Sequence, residues 1–277
     1  LGRAKAAALA LAAIVVAAVP AGAIDGLPLG VELTNADAGT IGWVRVADHD
    51  GLEPQVFTIE AWVTPLGIAY SGTGDPVGPR IVIKPMESQV GNYLASYSLG
   101  LNLDETVVVV VAHQLGSSGT TVNSTATVPQ GTRAHLAMSF DGAWLRVFIN
   151  GQLDTEELAS GSSVDYGPED VLIGAANLGS GYLRLFRGVI DDVRIWNYAR
   201  SASEIAAQME CSLDGTEPGL LAYYSFNGGD LGDDSGHGHG GVPEGLVELV
   251  TSNDACLPLV ASFDTGDLSE WSGSVTR

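Results

Sequence analysis

Most of this chain alternates apolar and polar positions with a period of two, the pattern of strands that bury one face. Residues 57–65, FTIEAWVTP, alternate cleanly and end in a proline. Ile59, Ala61 and Val63 fall on one face there, with Thr58, Glu60, Trp62 and Thr64 on the other. Leu33, Ile41, Trp43 and Val44, spaced among Gly, Asp and Asn within residues 24–53, predict two edge strands. Further strands are predicted at 80–84, 93–102, 106–113 and 120–128. The unbroken apolar run 107–111 marks a buried central strand. Residues 131–141 and 144–150 form a hairpin about Asp141-Gly142, and Asn150-Gly151 turns the chain into 152–158. Residues 171–175 (VLIGA) and 219–226 (GLLAYYSF) complete the strand signals. The period changes once. After a turn at 197–200, Ser201 and Glu204 form a capping-box pair, and Ile205 and Met209 recur at helical spacing.

That change lies inside the most informative stretch, 187–209, which reads RGVIDDVRIWNYARSASEIAAQM. Straight alternation puts Val189, Asp191, Val193 and Ile195 on one side and Ile190, Asp192, Arg194 and Trp196 on the other. Aspartate and arginine are poor strand residues, and a buried charge needs a partner. Glu60 in FTIEAWV is an equal oddity.

The two segments FTIEAWVTP and GVIDDVRIWN followed by SASEI, with GTRAHLAMSFDG and LRVFING between them, resemble the LamG-like jellyroll family of the laminin G and pentraxin type. The resemblance covers residues 31–241, with Arg133 standing where the family carries tryptophan. It implies an all-β, antiparallel, concanavalin A-like jellyroll sandwich with one short helix. It also implies a structural role for Glu60, Asp191 and Arg194, with Glu60 and Arg194 paired in the interior, and a structural strand histidine at His135.

Composition adds the compartment. Arg3 and Lys5, the apolar run 6–19 and the small residues 21–23 read as a signal peptide over residues 1–23. The jellyroll domain then spans 24–258, and 259–277 is a C-terminal tail that resembles the endings of secreted bacterial proteins. Cys211 and Cys256 both lie in the exported part, where an even cysteine count favours a disulfide. A formal net charge of −21 argues against nucleic acid and anionic membranes as partners.

Candidate chemistry is sparse. The glucanases of this fold place carboxylates on one strand as E-x-D-x-x-E, and no such sequence occurs. The pairs Glu156-Glu157 and Asp191-Asp192 point to opposite faces of a regular strand, and glycoside hydrolysis needs two carboxyls facing one gap of roughly 5–10 Å. No G-x-S-x-G elbow is present. Calcium is the better candidate, with Asp230, Asp233 and Asp234 in the glycine-rich loop 227–241 as ligands and Asp48, Asp50 and Asp75 as additions. His237 and His239 offer a weak transition-metal alternative. Trp43, Tyr70 and Tyr182 are aromatics of the kind that stack on sugar rings. The resemblance implies a secreted, non-catalytic module that binds glycans or glycoproteins, with calcium as its candidate ion. A structural or adhesive surface protein is the alternative, and a divergent glycosidase the third reading.

Overall fold

The computed structural model describes residues 29–67, 78–87, 93–113, 118–176 and 184–251. The expected signal peptide, the C-terminal tail, Tyr70, Asp75, Tyr182 and Cys256 lie outside them. In chain order the strands are β1 (Leu29–Leu33), β2 (Gly42–Val46), β3 (Phe57–Pro65), β4 (Arg80–Glu87), β5 (Tyr93–Leu101), β6 (Thr106–His113), β7 (Ser118–Thr127), β8 (Ala134–Phe140), β9 (Trp144–Ile149) and β10 (Gln152–Leu158). They continue with β11 (Val171–Ile173), β12 (Gly188–Trp196), the helix α1 (Ala202–Gln208), β13 (Leu220–Tyr224), β14 (Gly241–Gly245) and β15 (Glu248–Thr251).

The strands form two wholly antiparallel sheets. One runs β10-β9-β8-β3-β12-β1-β15 with β13 also on β12, and the other runs β14-β2-β11-β4-β5-β6-β7. Their facing sides make one core, which takes Ile59, Ala61 and Val63 from β3 and Val107, Val109 and Val111 from β6. The run 107–111 is thus a buried strand between β5 and β7, as its composition predicts. Asn150 (φ 49°) and Gly151 (φ 73°) take the paired left-handed conformations of a tight hairpin turn. A Cβ on Gly151 would also stand 2.8 Å from the Ala206 Cα, so the glycine lets α1 dock on that turn.

Two expectations need correction. β1 and β2 are not edges, because β15 pairs with β1 and β14 with β2. The covering strands come from 241–251, a segment whose Gly and Pro hide any alternation. Pro243 is tolerated there because β14 is itself an edge. Nor does β12 alternate regularly. Its register on β3 slips between Asp191 and Arg194, and Asp192 has φ 51°. This bulge reverses the parity of the strand. Ile190 faces the core before it, Val193 and Ile195 after it, and Asp192, Arg194 and Trp196 turn to the other side. The neighbouring strand changes too, from β1 beside Gly188 to Ile190 to β13 beside Val193 to Trp196.

The outer face of the first sheet is closed by α1. Ser201 accepts from the Glu204 backbone and Glu204 from the Ser201 backbone, so the capping box forms as predicted. Ile205 packs on Ala137 and Phe148. Between helix and sheet lies a buried charge cluster. Glu60 is fully buried, and its Oε1 accepts from Arg200 Nη1 at 2.6 Å and from Trp196 Nε1 at 2.9 Å. Arg194 sits opposite Glu60 in register, as the expected pairing requires, but its guanidinium is 3.8 Å from that oxygen. Its shorter partner is Asp192, at 3.2 Å, which also accepts from the Tyr223 hydroxyl at 2.6 Å. Arg194 further donates to the carbonyls of Gln208 and Cys211, and Trp62 donates to that of Met209. The charges therefore satisfy the carbonyls left over at the end of the helix. Asp191 is 2% exposed, and its Oδ1 accepts from the Asp192 N–H.

His135 lies 3.7 Å from Glu60 Oε2 and edge-on to Trp62. Burial first, then Arg194, Arg200 and Arg133, hold its pKa well below 6.5, so it is neutral. Removing one member of such a cluster leaves an uncompensated charge in a dry site. Glu60→Gln should cost about 3–5 kcal/mol in urea unfolding. Combining it with Arg200→Met should cost less than the two single losses summed, a coupling that a double-mutant cycle reads directly.

Candidate functional site

The three aspartates expected to bind calcium are occupied by their own backbone. Asp233 Oδ1 accepts from the N–H groups of Tyr223 (3.1 Å) and Ser235 (3.0 Å), and its Oδ2 from that of His239 (2.9 Å). Half-burial pushes the Asp233 pKa up, but the hydrogen bonds from Ser235, His239 and Tyr223 outweigh it and hold the carboxyl below 3.8. Asp234 Oδ2 accepts from the Ser225 amide and hydroxyl, and Asp230 Oδ1 from the Gly232 amide. Among the described residues no group of three or more His, Cys, Asp or Glu side chains could hold a metal ion. Asp233 and Asp234 tie the loop 227–241 to β13 and to Ser225 just after it, and Asp230 closes a turn within the loop.

The other candidates are likewise accounted for locally. The Asp48 carboxylate pairs with Lys84, which is fully buried and also lies 3.3 Å from Glu53. Asp50 begins a single 3-10 turn, Asp50–Leu52. His49 Nδ1 accepts from the Gly51 N–H at 2.9 Å, and its ring packs 4.7 Å from that of His239, itself stacked on His237. Cys211 is exposed after α1, and its expected partner Cys256 lies outside the described residues.

Among the described residues, two concavities carry chemistry. One, of about 230 Å³, lies on the outer face of the first sheet among Trp62, Arg133, Val189, Asp191 and Thr251. The Arg133 guanidinium stands 3.7 Å over the Trp62 ring, so this aromatic face is already covered by a cation.

The larger, about 430 Å³, lies on the outer face of the second sheet. It is lined by Trp43 and Arg45 of β2, Leu172 of β11, Pro85 of β4, Glu244 of β14 and the loop residues Pro168, Glu169 and Asp170. On β2, Val44 and Val46 enter the core, so alternation turns Trp43 and Arg45 outward together. The partly buried Trp43 packs on Ile83, Ala95, Leu172 and Ala176, a small apolar floor outside the main core. Arg45 donates from Nη1 to Asp170 at 3.0 Å and from Nε to Glu244 at 2.8 Å. Its pKa is raised by Glu244 and then Asp170, so it stays charged. Asp170 Oδ1 also accepts from the Asp48 N–H at 2.9 Å. One side of the groove is thus an aromatic plane, and the other is a row of fixed carboxylates around one guanidinium. Such a surface can stack an apolar ring face and accept hydrogen bonds from hydroxyls. Trp43 was legible in the sequence. Asp170 and Glu244 are 125 and 199 residues from Arg45, and nothing local links them.

Known proteins place this geometry in context. No curated protein sequence matches the chain significantly. Among solved structures it is similar to a candidate carbohydrate-binding protein from Bacteroides ovatus, with TM-score 0.63 and 17% identity. That match covers 82% of this chain and 61% of the other. It is also similar to the heptameric SAP-like pentraxin of Limulus polyphemus, with TM-score 0.59 and 13% identity, over 85% of this chain and all of that one. The CBM40 of the Ruminococcus gnavus IT-sialidase, bound to α2,3-sialyllactose, matches with TM-score 0.50 and 15% identity, over 64% of this chain and 95% of that one. Identities this low establish the shared fold alone. Residues 38–206, more than half of the chain, match the family described as the concanavalin A-like lectin/glucanases superfamily. By that match and by its two-sheet antiparallel sandwich, the chain belongs to the concanavalin A-like lectin/glucanases superfamily.

Proposed function

We propose that this chain is a non-catalytic glycan-binding module that acts outside the cell, with its ligand seated in the Trp43 groove. The observation that carries the reading is the pairing of a partly buried tryptophan plane with fixed hydrogen-bonding side chains in one open groove. Sugar rings present an apolar face to stack and hydroxyls to hydrogen-bond, and this groove supplies both counterparts. The carbohydrate-binding character of the Bacteroides ovatus and CBM40 relatives agrees with it. Export is supported by the basic and apolar character of residues 1–23.

Several features favour binding over hydrolysis. Asp170 and Glu244 both serve as acceptors for Arg45, and neither is placed as a proton donor. Hydrolysis of a glycoside needs one carboxyl that delivers a proton and another that acts as base or nucleophile. Asp192 is held by Arg194 and the Tyr223 hydroxyl, and Asp191 accepts from the Asp192 N–H, so the two are not placed as an acid and base pair across a gap.

We further propose that binding needs no calcium, since the carboxylates of the loop 227–241 are held by backbone N–H groups.

These statements are tested by binding, by product release and by thermal unfolding. A glycan panel should yield a ligand whose affinity falls roughly tenfold, about 1.4 kcal/mol, in Trp43→Leu, a change that keeps an apolar side chain on the floor. Unchanged affinity in that variant would place the ligand elsewhere, and release of reducing sugars would overturn the non-catalytic reading. Thermal unfolding in millimolar calcium and in chelator should give the same midpoint. Asp233→Ala should lower stability by about 1–3 kcal/mol equally in both solutions. Because the folded pKa of Asp233 is depressed, its contribution is complete above the ordinary value of 3.8 and is lost as pH falls through the folded value. The wild-type and Asp233→Ala stabilities should therefore converge in acid.

A further inference from the structure

We infer that the Trp43 groove selects uncharged glycans and rejects those that carry carboxylate or sulfate groups. The inference rests on the glycan-binding reading and adds the chemical class of its ligand. Two carboxylates, Asp170 and Glu244, line the groove against a single guanidinium, Arg45. That guanidinium is already engaged on two sides, by Asp170 at 3.0 Å and Glu244 at 2.8 Å. An anionic sugar would have to displace one of these carboxylates from Arg45 and then lie beside it. The nearby cation Lys84 offers no relief. It is fully buried, donates to the Glu169 carbonyl at 2.9 Å, and is paired with Asp48 and Glu53.

Hydrogen-bond chemistry points the same way. Ionised carboxylates only accept, and each has room for more than one donor. Asp170 and Glu244 are fixed by Arg45, and Asp170 also by the Asp48 N–H. They form an acceptor-rich row beside an aromatic plane. Its complement is a ligand rich in hydroxyl donors, which a neutral sugar is. Carboxylates and sulfates are acceptors only and would meet acceptors. The charge of −21 on the whole chain extends the bias beyond the groove, because like-charged ligands are repelled before they arrive.

The test uses the full chain and matched sugar pairs in titration calorimetry. Cello-, xylo-, galacto- and arabino-oligosaccharides are each compared with a version carrying a uronate or sulfate group. For every parent that binds, the anionic version should bind at least tenfold more weakly, and the gap should shrink as salt rises from about 20 mM to about 500 mM. Asp170→Asn with Glu244→Gln releases Arg45 while Asn keeps an Oδ1 acceptor for the Asp48 N–H. In that variant the gap should close to threefold or less. Anionic sugars that bind as tightly as their parents, or a gap that the double variant leaves unchanged, would overturn the inference. Binding by no member of any pair would instead defeat the glycan-binding reading on which it stands.

Discussion

The structure depends on burying Glu60 without leaving it unpaired. A carboxylate in a central strand, under a helix, carries a desolvation cost of several kcal/mol unless its environment supplies opposite charge and hydrogen bonds. Here Arg200 and Trp196 supply the hydrogen bonds and Arg194 a second positive charge, while Asp192 balances Arg194. The β12 bulge is what makes this arrangement fit. By reversing the side-chain parity after Asp192, it keeps Val193 and Ile195 in the core and delivers Arg194 and Trp196 to the same side as Glu60. The same arginines reach the carbonyls of Glu204, Gln208 and Cys211, so one cluster sets the strand register, the helix position and the path of the chain beyond it.

That cluster has a consequence for function. It commits part of the outer face of the first sheet to holding α1, and the Trp62 ring on that face is capped by Arg133. The outer face of the second sheet carries no comparable lid among the described residues, and its Trp43 sits on a small floor of Ile83, Ala95, Leu172 and Ala176. The two outer faces are thus covered differently. Charge is distributed accordingly. Arg194 and Arg200 are buried inside the fold, whereas the carboxylates of Asp170 and Glu244 line the open groove with Arg45.

Where the determinants are local in sequence, the fold was legible. Ser201 and Glu204 specify the start of the helix by themselves, Asn150-Gly151 its hairpin, and the FTIEAWV alternation the buried side of β3. The bulge was not. Its two adjacent aspartates look like a regular alternation until the partner strands are known, and the change of neighbour from β1 to β13 lies in tertiary structure. Arg200 was missed for a related reason, since it sits in a turn that reads as solvent-exposed while its side chain reaches back 140 residues to Glu60. The acidic loop was legible only in part. A run of aspartates among glycines suggests ligands for an ion, but such turns also expose backbone N–H groups, which bond Asp230 and Asp233, while Asp234 bonds the amide and hydroxyl of Ser225. Of the groove, Trp43 alone was readable, because its acidic walls come from distant loops and from an edge strand with no alternation of its own.

The claim that the ligand sits on Trp43 is tested most directly by following tryptophan indole N–H signals by nuclear magnetic resonance during titration with a neutral oligosaccharide that binds. The Trp62 and Trp196 indoles donate to Met209 and Glu60 inside the fold and serve as internal references. The account predicts that the Trp43 indole shifts together with the Arg45 and Leu172 amides, while the Trp62 and Trp196 indoles stay in place. Shifts at Trp62, or in the loop 227–241 with Trp43 unmoved, would contradict it.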